Sequence, residues 1–232
     1  MENNKVLILD DEDAIRQFMK INLEYQGYQT VEAASGEEAI RVFEDEDPAV
    51  AILDVMLPGI SGFDVCEAIR EKSPRTGIIM VSAKSQDIDK ILGLERGADD
   101  YIIKPFNPQE LILRVRSLMR RVNLSTVEKE NKDTNTLSDG PFTLDLYSKS
   151  FYKNQNEIDV TPTEFAILKN FIQNKGKAMT RDEIMEQTWG ENYSNDTKIV
   201  DVNIRRIRAK IEEDPAKPQF IETVWGTGYR WK

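Results

Sequence analysis

The stretch VAILDVMLPGISG runs apolar from Val50 to Leu53, stops at Asp54 and then turns through a Pro-Gly pair. A carboxylate there has two uses: it caps the next helix, or it is a reactive group at the mouth of a buried strand. Other apolar runs end on similar chemistry. Asp10 and Asp11 close KVLILDD, Ser82 closes GIIMVS, and Lys104 closes DYIIK. Three carboxylates brought together repel one another and hold their protons more tightly unless a cation neutralises them, and a donor set made only of oxygen suits Mg2+. A lysine and a hydroxyl beside them are partners for an incoming anion, above all a phosphoryl group. Asp54 is then a nucleophile. Taken singly, Asp10 and Asp11 read as acids at a helix N-terminus and Lys104 as a solvated lysine. Those readings explain one residue each and leave the set of five residues at four strand ends unexplained.

Such a set needs parallel strands whose carboxyl ends meet. The first half supplies five candidates: KVLILD (5–10), YQTVEA (28–33), VAILD (50–54), GIIMVS (77–82) and DYIIK (100–104). Between them Ile15, Phe18, Met19 and Leu23 recur at helical spacing, as do Ala39, Ile40 and Phe43, and Phe63, Cys66 and Ile69. Continuous apolar strands alternating with helices predict βαβ units with right-handed crossovers, hence a doubly wound α/β domain with a five-stranded parallel sheet. NPQELILRVRSLMRRV is its last helix, with Leu111, Val115 and Leu118 inward.

Residues 123–139, NLSTVEKENKDTNTLSDG with its terminal Gly140, are polar and aperiodic, which predicts a flexible linker between a first domain of 1–122 and a second of 140–232. Three short β-like runs follow at 142–146, 150–153 and 157–161. TPTEFAILKNFIQN then opens a helix, with Thr161 as cap and Pro162 at the first position. Two more helical patterns, 181–188 and 198–212, precede FIETVWGTGYRWK, a hairpin with glycines at its turn. Helices followed by a hairpin spell a winged helix-turn-helix. The 198–212 helix carries Lys198, Arg205, Arg206, Arg208 and Lys210 against one acid, Asp201, before Glu212. Such a helix suits the major groove of double-stranded DNA.

Composition narrows the field further. The chain has no histidine, which excludes His-based acid–base catalysis, His-ligated zinc and a phosphohistidine of its own. One cysteine, Cys66, excludes an internal disulfide, and it falls among core positions of a helix. The net charge of −10 hides an asymmetry. Residues 1–122 hold 15 Lys+Arg against 23 Asp+Glu, whereas 140–232 hold 14 of each, so cations gather in the second half. No apolar run is long enough to cross a membrane and the start is unlike a signal peptide, so the expectation is a cytoplasmic protein with no membrane partner.

On these residues, 3–122 resembles a receiver domain with flavodoxin-like strand order, and the whole chain resembles a two-component response regulator of the OmpR/PhoB type. The resemblance implies that Asp54 accepts a phosphoryl group from a sensor histidine kinase, that Asp10, Asp11, Asp54 and the Met56 backbone carbonyl hold Mg2+, and that Ser82 and Lys104 bind the phosphoryl oxygens. Tyr101 matches an aromatic switch, Lys104-Pro105 a cis peptide, and Met56 and Lys84 positions that tune phosphate lifetime. Phosphorylation is expected to favour a homodimer joined by intermolecular pairs, Lys90 with Glu110, Asp100 with Arg114 and Asp99 with Arg121. DNA contact is expected from Lys198, Asn203, Arg205, Arg206 and Arg208, with Thr223 and Tyr229 on the wing, and contact with RNA polymerase from the loop 189–196 through Glu191 and Asp196. One departure stands out: Trp225 occupies the wing position where better-known members carry an arginine. The expectation is a switch, not a turnover enzyme. A rival reading, an aspartyl phosphatase of the haloacid dehalogenase type, rests on Asp11-x-Asp13 after the first strand. The Ala14 and Ile15 that follow do not continue that motif. A second rival binds DNA without phosphorylation and keeps the acidic pocket as structure.

Overall fold

The computed structural model describes residues 3–83, 92–123, 135–190, 193 and 196–232. The chain divides into two compact units, Met1–Asn123 and Leu124–Lys232.

In the first unit the predicted strands form β1 (Lys5–Leu9), β2 (Gln29–Ala33), β3 (Val50–Asp54), β4 (Gly77–Ser82) and β5 (Asp100–Ile103). They pair wholly in parallel, in the order β2-β1-β3-β4-β5. The chain reverses its winding at β1/β3, and this is where the carboxyl ends of a doubly wound sheet open a crevice. Helices α1 (Asp13–Tyr25) and α4 (Pro108–Asn123) pack together, and α2 (Gly36–Glu46) packs with α3 (Gly62–Lys72). Val6, Ile8, Val50, Ile52, Ile79 and Val81 from the sheet meet Met19, Leu23, Leu111, Val115 and Leu118 from α1 and α4 in one core. β3 is buried along its whole length, which explains its unbroken apolar sequence.

Two backbone features aim the carboxyl ends. Ser61 caps α3 through a reciprocal pair with Asp64, which fixes where the β3–α3 loop ends. Gly62 begins α3 directly under that loop, where any Cβ would overlap the Asp54 carbonyl oxygen. Cys66 is fully buried on α3, as its spacing predicts.

The second unit begins earlier than expected. Thr136–Asp139, assigned to the linker from its polar sequence, forms β6 and pairs antiparallel with β7 (Phe142–Asp145), while Asn123 belongs to α4. With β8 (Ser150–Lys153) and β9 (Asn156–Ile158) this makes a four-stranded antiparallel sheet, one strand more than predicted. α5 (Pro162–Gln173), α6 (Arg181–Trp189) and α7 (Lys198–Ile211) pack against one another. The hairpin β11 (Ile221–Val224) and β12 (Gly228–Trp231) gains a third strand, β10 (Ala178–Thr180). Phe142 stacks on Phe151 at 5.5 Å and meets Phe220 and Trp231 edge-on at 4.6 and 5.2 Å, closing the core where sheet and hairpin meet. No helix among the described residues is long and apolar enough to cross a membrane.

Candidate phosphoryl pocket and nucleic-acid face

The strand-end residues converge. Asp10 and Asp54 are 0% and 3% exposed, Asp11 lies in the open, and ligand atoms of all three sit within 4.8 Å of one another. Lys104, one residue beyond β5, places its Nζ 2.7 Å from Asp10 Oδ2 and 2.7 Å from Asp54 Oδ2. The remaining oxygens are held by the loops: Asp54 Oδ1 accepts from the Met56 N–H at 3.1 Å and Asp10 Oδ1 from the Glu12 N–H at 3.0 Å. Arg16 donates to the carbonyls of Asp10 and Asp11, bracing the β1–α1 turn.

The electrostatics follow from this crowding. Burial pushes the Asp10 carboxyl above its ordinary value and the charge of Asp54 adds to the push, against the Lys104 ammonium and the Glu12 N–H. For Lys104 burial works against the charged form, but the hydrogen bonds it donates to Asp10 and Asp54 outweigh it and raise the ammonium above its usual range. The donor chemistry fits a hard divalent cation: carboxylate oxygens only, one of them disfavoured as an unaccompanied anion.

Ser82 ends β4 beside β5, and the Lys104 N–H donates to its carbonyl at 2.8 Å. Tyr101 is buried, and the Lys104-Pro105 peptide is cis. Asp13, the second acid of the rival phosphatase motif, instead begins α1 and pairs with Arg16 at 2.9 Å on an exposed face.

Of the charges expected across a dimer, Asp99, Asp100, Glu110 and Arg114 are engaged within one chain. Asp99 is buried and pairs with Arg70 at 2.5 Å while accepting the Ile78 N–H at 3.0 Å. Asp100 is buried against Arg114 at 3.1 Å, and Arg114 also pairs with Glu110 at 2.8 Å, one helical turn away. Arg121 is 2% exposed. The Asp100–Arg114 pair expected between chains therefore closes inside this one, because α4 lays Arg114 across the start of β5. Lys84 and Lys90 lie outside the described residues.

On α7 the residues divide differently from the sequence expectation. Lys198 and Arg205 are exposed. Asn203 is fully buried and its Nδ2 donates to the Ile199 carbonyl at 2.8 Å, so it faces the core and not a base edge. Arg206 is also turned inward, 2.9 Å from Glu164, which is wholly buried and shared with Lys210 at 2.6 Å. Burial raises the Glu164 carboxyl but Arg206 and Lys210 overcome it, so the net shift is downward. Glu164 also closes the α5 capping box with Thr161. That box is spelled by TPTE, a signal that could have identified Glu164 in the sequence.

Arg208 donates to the Ile221 carbonyl at 3.0 and 2.7 Å and to Thr223 Oγ1 at 2.9 Å, binding α7 to the wing. Tyr229 is buried. Its hydroxyl donates to Asp201 at 2.7 Å and accepts from Arg181 at 3.3 Å, and burial with that bond pushes it up to about 12. Tyr229 and Thr223 thus belong to the seam between helix and wing. Of the proposed polymerase loop, residues 191–192 and 194–195 lie outside the described residues, and Asp196 accepts the Lys198 N–H at 3.0 Å. Trp225 caps the wing at 91% exposed, which removes packing in the domain's own core as its use.

The chain matches two family models in order, the response regulator receiver domain over residues 6–116 and the transcriptional regulatory protein C-terminal domain over residues 155–231. It is 40% identical over 231 residues to the probable transcriptional regulator ycf27 of Porphyridium aerugineum, covering 99% of this chain and 96% of that one. It is 39% identical to the alkaline phosphatase synthesis transcriptional regulatory protein PhoP of Bacillus subtilis (strain 168), covering 98% and 96%. Among solved structures it resembles the response regulator DrrB, a Thermotoga maritima OmpR/PhoB homolog, at 33% identity and TM-score 0.51, with 98% of each chain covered. With both domains matched in order and relatives spanning nearly its whole length, the chain belongs to the two-component response regulators of the OmpR/PhoB type, transcriptional regulators built from a receiver and a DNA-binding domain.

Proposed function

We propose that Asp54 accepts a phosphoryl group from the phosphohistidine of a sensor histidine kinase in a Mg2+-dependent step, and that the modified receiver pairs with a second copy to set two winged helices on a tandem, sequence-specific DNA site. The observation that carries this reading is the Lys104 ammonium held 2.7 Å from both Asp10 and Asp54 within a three-carboxylate cluster. In the transfer the donor P–N bond breaks and a P–O bond forms to an Asp54 oxygen; the donor leaves as neutral imidazole when its other nitrogen carries the proton. Bound by Asp10, Asp11, Asp54 and the Met56 carbonyl, Mg2+ would share the phosphoryl charge. Lys104 exchanges its Asp54 oxygen for a phosphoryl oxygen, Ser82 donates its hydroxyl to another, and Tyr101 follows Ser82 as the switch.

In this reading residues 1–122 are the receiver, working in the cytoplasm, and the effector starts at β6, ahead of residue 140. Dimer formation has to open the intrachain Asp100–Arg114 pair, or leave it in place and use other charges. Lys198 and Arg205 are the α7 residues that face DNA, and RNA polymerase is a partner of the assembled complex. Joining two domains on one chain raises the effective concentration of the second DNA contact, which suits an effector with balanced charge.

The test is intact mass after incubation with a small-molecule phosphodonor, with and without Mg2+, on wild type and Asp54→Asn. Gain of one phosphoryl group that requires both Mg2+ and Asp54 is expected. A gain that survives in Asp54→Asn would assign the nucleophile elsewhere, and no gain in folded wild type would favour regulation without phosphorylation.

A further inference from the structure

The one acid of α7 stands in the middle of its cationic stripe. Lys198, Asp201 and Arg205 recur at i, i+3 and i+7, one face of the helix, and both flanking cations are exposed. A carboxylate there opposes the approach of a polyanion. Stability is a weak reason to keep it. The side chains of Asp201 and of Arg181, its partner, are 42% and 35% exposed, a range in which an ion pair adds little to the fold.

The contacts of Asp201 say what it holds. Its Oδ1 accepts from Arg181 Nε at 2.7 Å and from the Tyr229 hydroxyl at 2.7 Å. Arg181, the first residue of α6, also donates to that hydroxyl through Nη2 at 3.3 Å, and its guanidinium lies over the Tyr229 ring at 5.0 Å. A carboxylate, a hydroxyl and a ring thus fix one guanidinium beside the stripe and cancel its charge. Resting on the reading that Lys198 and Arg205 meet DNA, we propose that Asp201 is a specificity-determining residue that acts through Arg181: it withholds this guanidinium from phosphates and so weakens binding to unselected sequences. At a selected site base contacts fix where α7 lies, so the phosphates within reach are fixed too and Arg181 stays on the seam. On any other sequence nearly all the affinity is cation–phosphate contact, and the domain settles wherever its cations find most phosphates. A guanidinium on a long, rotatable stem would be recruited there if nothing held it.

The experiment uses the full chain, a duplex enriched by that chain from a random-sequence pool, and the same duplex with its sequence shuffled, each titrated over a range of salt. Asp201→Asn keeps an oxygen for Tyr229 and Arg181 but removes the charge. It should tighten binding to the shuffled duplex about five-fold, the share of one phosphate contact, and steepen the salt slope there by about one. The enriched duplex should gain less, so the ratio of the two affinities falls. Adding Arg181→Gln should return the slope on the shuffled duplex to the wild-type value, because the released cation is then gone. Arg181→Gln alone should leave that slope as it is. Equal gains on both duplexes, or no gain on the shuffled one, would overturn the proposal. So would a slope that stays steep in the double variant, or one that falls in Arg181→Gln alone. A merely structural Asp201 would weaken binding to both duplexes without steepening either slope, which counts against the proposal as well. Arg205→Ala separates this assignment from the reading beneath it: if that variant binds both duplexes as wild type does, the α7 reading fails, whereas a loss there with an unchanged ratio in Asp201→Asn defeats the Asp201 assignment alone.

Discussion

The two regions that carry the chemistry treat their charges in opposite ways. At the carboxyl end of the parallel sheet, Asp10, Asp11, Asp54 and Lys104 meet and spend their charge on one another, leaving like charges in excess. On α7 the charges are mostly consumed by the fold: Arg206 and Lys210 neutralise Glu164, Arg208 ties the helix to the wing, and Lys198, though exposed like Arg205, pairs with Asp196 at 3.6 Å. A cluster of like charges is a site waiting for something. Balanced pairs are architecture. Counting residue types cannot separate these cases, but asking whether each charge has been answered does.

The largest expected effect tests the architectural half. Glu164→Gln leaves Arg206 and Lys210 without their buried carboxylate and should lower the stability of the second unit by about 3 kcal/mol, the scale of breaking a buried ion pair. Urea unfolding followed by tryptophan emission reports that unit directly, since Trp189, Trp225 and Trp231 all lie in it. A midpoint unchanged from wild type would mean that the pair is not structural.

The pocket should respond with the reverse sign. Asp10→Asn removes a carboxylate held above its ordinary pKa and should raise the thermal midpoint of the Mg2+-free receiver, while abolishing any further rise on adding Mg2+. A lower midpoint without the ion would show Asp10 to be a structural anion like Glu164.

Acid titration sharpens the contrast. The Glu164 carboxyl lies below its ordinary 4.5, so it contributes stability above that value and loses it as pH falls through the lower, folded value. Asp10 lies above its ordinary 3.8, so its ionisation costs stability at neutral pH and that cost is relieved as pH falls through the raised value. Glu164→Gln should flatten the acid loss of the second unit, and Asp10→Asn should remove the acid gain of the first. Equal pH profiles for wild type and both variants would refute the assignment. Smallest in stability is Arg205→Ala, expected within about 0.5 kcal/mol of wild type because the side chain is exposed, yet expected to reduce the salt slope of DNA binding by about one.

How much of this was readable in advance depended on how many environments each position allows. At the end of a buried parallel strand the geometry offers one exit, so the predicted strands alone put Asp10, Asp54, Ser82 and Lys104 at the carboxyl edge of the sheet. A helix of mixed face offers several. Asn203 lies next to Val202 and Ile204 in sequence, and the family resemblance puts it at the DNA face although its side chain is buried. Arg206 has the right charge for DNA, but its partner Glu164 is 42 residues earlier on another helix, beyond any local pattern. Tyr229 and Thr223 bond to Asp201 and Arg208 across the wing's seam with α7, a pairing between elements that no local pattern announces. β6, TLSD, and β10, AMT, were missed because one is an edge strand with half its residues exposed and the other is three residues long.

The ammonium that stands between Asp10 and Asp54 is covalently attached to the site it neutralises. The pocket is thereby an ion exchanger with a tethered resident, at an effective concentration that no dissolved monovalent cation matches. Sodium or potassium offers one charge against one and competes with a counter-ion that cannot diffuse away. A divalent ion offers two. For a metal ion entering this pocket, selection by valence would come before selection by size, set by a side chain, Lys104, that need not touch the ion at all.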